Sequence, residues 1–239
     1  NMNILKTISL LFSCFIFSAS YSYAGLSLSQ SRIIFSEGDK SQSVQINNDT
    51  DNLYLSQNMI TADLDGKKDE HFIVLPPLKR LEPQSSVSIK ILPRSLDTLP
   101  SDRESLFFFT AYLIPETKRG QQNNSGDLSL KINMVTKIII KGFYRPNELA
   151  ITSLDSHAKK ITFKKVGNNV QVNNPTPYYF TVSNLKFDGK SYQSANAPMV
   201  APFSSLNLAI DKSIKQVSWQ YIDDFGGLSN TFENKIIVE

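Results

Sequence analysis

Two histidines, His71 and His157, and one cysteine, Cys14, are the only imidazoles and thiol in 239 residues. Nucleophilic or acid-base catalysis needs such groups to converge, with a third side chain to orient them. The sequence contains no Gly-x-Ser-x-Gly elbow, no His-Glu-x-x-His pair and no glycine-rich phosphate loop. His71 opens an expected strand and His157 falls in a polar turn, so both read as surface histidines. Asp223 and Asp224 adjoin, but neighbours on a strand point to opposite faces and cannot act as an acid-base pair. No cluster has metal-ligand spacing, and no cofactor motif is present. The expectation is a protein that is not an enzyme and carries no cofactor and no metal.

The pattern that could do physical work is an alternation. Leu128, Leu130, Ile132 and Met134 are interleaved with Ser129, Lys131 and Asn133, and Thr136 continues the same parity. On a β-strand those five side chains share one face. Thr136 is smaller than its row, so a pocket it served would be only partly filled. Residues 116–127 just upstream contain no large apolar side chain and are rich in Lys, Gln, Asn and Gly, which reads as a mobile loop. An amphipathic strand of this kind either covers its own core or, when released by such a loop, is added to another protein's sheet. The loop favours the second. Burying four Leu, Ile or Met side chains contributes on the order of 6–12 kcal/mol before ordering entropy is subtracted. That suffices to hold a folding partner.

The elements that would position this strand follow from the period-two apolar pattern. It predicts strands near 28–35, 43–47, 53–61, 71–75, 86–92, 106–114 and 128–143, a number and spacing that match an immunoglobulin-like sandwich. After Pro146, which cannot donate to a ladder, the pattern resumes near 161–163, 170–172, 178–185, 205–208, 217–222 and 232–238. The expected organisation is all-β: a signal peptide over 1–24, a first domain over 25–145 and a second over 146–239. The leader is read from Lys6, the apolar stretch from Ile8 to Phe17, and the small residues Ser22 and Ala24 of Ser22-Tyr23-Ala24. Its removal would leave 239 − 24 = 215 residues without cysteine, and 24 basic against 22 acidic side chains. A net charge of +2 gives no field that implies nucleic acid.

Five stretches then carry a family resemblance: Phe72-Ile73-Val74-Leu75-Pro76-Pro77, the run from Leu99-Pro100-Ser101-Asp102-Arg103-Glu104 to Phe107, Phe143-Tyr144-Arg145-Pro146, Asn174-Pro175-Thr176-Pro177-Tyr178-Tyr179, and Asp223-Asp224-Phe225-Gly226-Gly227. In order and identity they resemble the PapD-like periplasmic chaperones of the chaperone-usher pathway, over essentially the whole chain after the leader. The resemblance implies two immunoglobulin-like domains set in an L, or boomerang. It implies fimbrial or fibrillar adhesin subunits as clients, an outer-membrane usher as recipient, and the periplasm as location. It places the family's two carboxylate-holding cations on Arg32 and Lys141, and its inter-domain ion network on Glu104, Arg145 and Asp224. The extended alternating face resembles the family's long-loop branch, but Thr110 and Ile139 stand where that branch has a cysteine pair. An edge this apolar is expected to be masked by self-association or disorder when empty. The competing reading is a secreted fibre subunit or adhesin, normally one incomplete sandwich with a disulfide. Two domains without cysteine oppose it.

Overall fold

A computed structural model describes residues 25–116, 134–149 and 153–238. The expected leader, the proposed mobile loop beyond Glu116, and Leu128, Leu130 and Ile132 lie outside the described residues. The first domain contains β1 (Leu26–Leu28), β2 (Arg32–Ser36), β3 (Gln42–Asn48), β4 (Tyr54–Thr61), β5 (Phe72–Leu75), β6 (Leu78–Leu81), β7 (Ser85–Pro93), β8 (Ser105–Pro115) and β9 (Thr136–Arg145). One sheet is ordered β1-β3-β7-β5 and the other β2-β9-β8-β4-β6. The inner faces meet in a core that includes Ile33, Phe35, Val44, Ile46, Ile89 and Ile91. Strand β8 shows why the alternation matters: Phe107, Phe109, Ala111 and Leu113 enter this core, while Phe108, Thr110 and Tyr112 occupy the opposite face. Gly142 lies opposite Phe107, and a Cβ there would sit 2.2 Å from the ring. Only glycine lets that ring lie across β9.

The second domain begins with a short helix, α1 (Leu154–Ala158), followed by β10 (Thr162–Val166), β11 (Asn169–Asn174), β12 (Phe180–Phe187), β13 (Lys190–Ser191), β14 (Met199–Val200), β15 (Ser204–Ala209), β16 (Gln216–Tyr221), β17 (Phe232–Lys235) and β18 (Ile237–Val238). Its sheets are ordered β15-β11-β10-β18 and β13-β12-β16-β17, with β14 paired to β12. Trp219 is fully buried at its centre, with its indole N–H donated to Asn234 Oδ1 at 2.8 Å and Phe232 stacked at 5.2 Å. Among the described residues no helix is long and apolar enough to cross a membrane.

The fold differs from the sequence reading in several respects, among them the unforeseen β13 and β14, the division of 232–238 between β17 in one sheet and β18 in the other, and Met134 and Val135, which precede β9 rather than lying in it. The strand expected over 28–35 is two strands: Ser29, Gln30 and Ser31 interrupt it, so that β1 pairs with β3 in one sheet and β2 with β9 in the other. Strand β6 is additional, because four residues between prolines carry no readable alternation. His157 lies in α1 rather than a turn, since Ser153 caps the helix by accepting the Asp155 N–H; its half-buried ring meets Tyr178 edge-on at 4.6 Å. Asp223 and Asp224 occupy a turn after β16 rather than a strand.

Candidate functional site

Strand β9 is flanked unevenly. It pairs antiparallel with β8 along its whole length, from Thr136 opposite Leu113 to Tyr144 opposite Ser105. Its other edge pairs, in parallel, with β2 only from Lys141 opposite Arg32 to Arg145 opposite Ser36. From Thr136 to Ile140 that edge faces no strand among the described residues. Its N–H and C=O groups are therefore a template for another chain. Ile138, Ile140 and Tyr144 pack on the first core, and Met134 and Thr136 carry the same parity beyond it, with Met134 77% exposed. Lys141, Phe143 and Arg145 have the opposite parity, and Phe143 reaches Tyr179 of the second domain at 5.4 Å.

Two cations mark the place where the free edge ends. Arg32 is almost buried, donates from Nη1 to the Ile222 carbonyl at 2.9 Å, and lies over the Phe143 ring at 5.6 Å. Its Nε is buried without a hydrogen-bond partner. Lys141 is its register neighbour, and among the described residues no carboxylate lies within ion-pair distance of either. Burial holds the Arg32 pKa below its ordinary value, opposed by the more distant charges of Asp224, Asp223 and Glu104. Burial, then the charge of Arg32, lowers that of Lys141. Adjacent like charges, one buried with an orphaned donor and the other half-buried, are the electrostatic complement of a carboxylate.

The domains are joined immediately beside this pair. Arg145 gives two parallel hydrogen bonds to Asp224, at 2.8 and 3.0 Å, and donates from Nε to Glu104 Oε1 at 2.9 Å. Glu104, itself buried, accepts the Tyr179 N–H at 2.8 Å through its other oxygen and donates its own N–H to the Pro177 carbonyl. Burial raises the Glu104 pKa, and the Arg145 charge opposes this. Burial alone would lower the Arg145 pKa, but the hydrogen bonds to Asp224 and the charge of Glu104 outweigh it and hold the guanidinium above its ordinary value. The structure thus brings Glu104, Arg145 and Asp224 together, and Arg32 beside Lys141. Thr110 and Ile139 are cross-strand neighbours in β8 and β9.

Several participants were not foreseen from sequence. The Ile222 carbonyl orients Arg32, which no side-chain pattern could have signalled. Arg103 lies over the Phe203 ring at 4.9 Å, a further contact between the domains. Asp223 accepts the backbone N–H groups of Phe225 and Gly227. His71 is bracketed by Asp69 at 3.2 Å and Thr98 at 3.1 Å, remote in sequence from the cation pair. Among the described residues no group of three or more His, Cys, Asp or Glu side chains could hold a metal ion.

Residues 25–150 match the pili and flagellar-assembly chaperone, PapD N-terminal domain, and residues 156–233 match the pili assembly chaperone PapD, C-terminal domain. The chain therefore belongs to the PapD family of pilus-assembly chaperones. It is 32% identical over 207 residues to chaperone protein FimC of Escherichia coli strain K12, covering 86% of this chain and 82% of FimC. The E. coli chaperone DraB matches with a TM-score of 0.77 at 30% identity, covering 89% of this chain and 96% of DraB. A Salmonella enterica structure of SafA pilin in complex with the SafB chaperone matches with a TM-score of 0.76 at 26% identity, covering 88% of this chain and 96% of the matched one. The all-β architecture of two immunoglobulin-like domains is that of this family.

Proposed function

We propose that this chain binds, folds and caps fimbrial or fibrillar adhesin subunits by lending them a strand, and delivers them to an outer-membrane usher. One observation carries the reading: β2 runs parallel to β9 and begins at Arg32, where the unpaired edge of β9 ends. A subunit strand laid parallel along that edge lies on the same line as β2. Its terminal carboxylate then arrives between Arg32 and Lys141, which can grip it with charge-assisted hydrogen bonds. A fixed chain end sets the register, and register decides which side chains of Leu128, Leu130, Ile132, Met134 and Thr136 enter the subunit's core. The SafA pilin complex with SafB supports a pilin as the kind of client.

Glu104, Arg145 and Asp224 act in this reading as the brace that holds the second domain, from Pro146 onward, against the cation pair. The role is mechanical and uses no catalysis. The leader over 1–24 directs the chain to the periplasm, in keeping with the solved periplasmic chaperone SfaE, 28% identical to this chain. When no client is present, the exposed edge around Met134 favours self-association. A fibre subunit is the weaker reading, because both chaperone domains are matched.

The test is accumulation of the client subunit in the periplasm. Lys141→Ala should abolish it while leaving the chaperone folded, and Ile132→Asp should release subunits to aggregation or proteolysis. Normal client levels with both variants would refute the reading.

A further inference from the structure

Phe225 is 95% exposed, more than any other large apolar side chain among the described residues. The turn that presents it is nevertheless stiff. Asp223 Oδ1 accepts the N–H groups of Phe225 and Gly227 at 2.9 and 2.8 Å, the Asp223 N–H reaches the Gly227 carbonyl, and Ile222 bridges to Leu228. Both neighbours of Phe225 are pinned to the first domain. Asp224 is held by Arg145, and Gly226, at φ +85°, lies so close to Ser31 that a Cβ would stand 2.3 Å from its Oγ. Ser31 precedes Arg32, whose guanidinium is bound by the Ile222 carbonyl at the base of the same turn. A fully wet aromatic residue thus stands on an ordered turn whose base, the Ile222 carbonyl, holds Arg32 of the cation pair.

We infer that Phe225 is a specificity-determining contact for the client's terminal segment, receiving an apolar or aromatic side chain next to the anchored carboxylate. This inference rests on the proposed function. Arg32 and Lys141 supply the charge for the chain end, so what remains for the turn to offer is apolar area. A ring on a backbone already ordered loses little freedom on contact. Its face suits an aliphatic partner or an offset or edge-on aromatic one.

The experiment titrates the pilin that the tagged full-length chain retains from its native periplasm against wild-type, Phe225→Ala, Phe225→Leu and Lys141→Ala chains. Phe225→Ala should bind roughly 10-fold or more weakly, as expected for loss of a buried aromatic contact. Phe225→Leu should recover most of that loss, and the thermal midpoints of both should stay at the wild-type value because the ring supports nothing in the free protein. Ring protons of Phe225 should show NOEs to the pilin in the complex. Binding by Phe225→Ala within twofold of wild type, with Lys141→Ala inactive, would overturn this inference and leave the proposed function standing. Undiminished binding by Lys141→Ala would overturn both.

Discussion

Lys141 stands opposite Arg32 in the parallel register of β2 and β9, and the two cations face each other without an intervening carboxylate among the described residues. Two partly desolvated like charges at this spacing repel one another and oppose folding. Replacing Lys141 with Met removes a partly desolvated charge while keeping its bulk, so the free chaperone should gain about 0.5–2 kcal/mol and a few degrees in thermal midpoint as client binding is lost. Calorimetry of the free variant reads the first effect and periplasmic client levels the second. The pH dependence has a definite sign. Since the folded-state pKa of Lys141 lies below the ordinary 10.5, the cost of its charge is fully present below the folded value and vanishes above 10.5. The advantage of Lys141→Met should therefore be constant around neutrality and shrink as pH rises through that window.

Arg145 is the cation whose loss should be most damaging. Arg145→Ala leaves the Glu104 carboxylate buried without its counter-charge, a situation that costs about 3–5 kcal/mol. Arg145→Lys should rescue little, because one ammonium cannot reproduce the fork that spans Glu104 and Asp224. Burial raises the Glu104 pKa above 4.5, so its ionisation is penalised above the folded value and costs nothing below the ordinary one. Denaturant unfolding should accordingly show the gap between Arg145→Ala and wild type narrowing as pH falls toward 4.5. A constant gap would remove Glu104 from the explanation.

Thr110 and Ile139 are antiparallel partners, a relationship that sets Cα atoms about 4.5–5.5 Å apart, within disulfide range. The double variant Thr110→Cys, Ile139→Cys should oxidise spontaneously. Closing a loop of roughly 30 residues should stabilise the first domain by up to about 3–4 kcal/mol in the chain-entropy view. Mass spectrometry and thermal melts with and without reductant would show it; failure of the pair to bridge would mean that the β8 and β9 register differs in solution.

What the sequence disclosed and what it concealed divide along physical lines. Strands β3, β7 and β8 announce themselves because each puts alternate apolar residues into a core, as Val44 and Ile46 do. Strands β6, β13 and β14 span four residues or fewer, so no periodicity marks them. Helix α1 spans five residues, too few for a period of 3.6 to register. Strand β9 was legible over its described length from Thr136, but its free edge was not, since an edge is defined by where β2 starts rather than by β9 itself. Family motifs pointed to Arg32, Lys141, Glu104, Arg145 and Asp224 individually. Their contacts depend on pairing between distant segments, and the Ile222 carbonyl and the Asp223 turn have no side-chain signature at all.

Because β2 already fills the seats beside residues 141–145, a visiting chain that runs along β9 reaches a hard stop. It would be measured from its tail, like stock pushed against a fence before cutting. Extra residues fused to a client's C-terminus, an affinity tag for instance, would have no lane to continue in and would run head-on into Arg32.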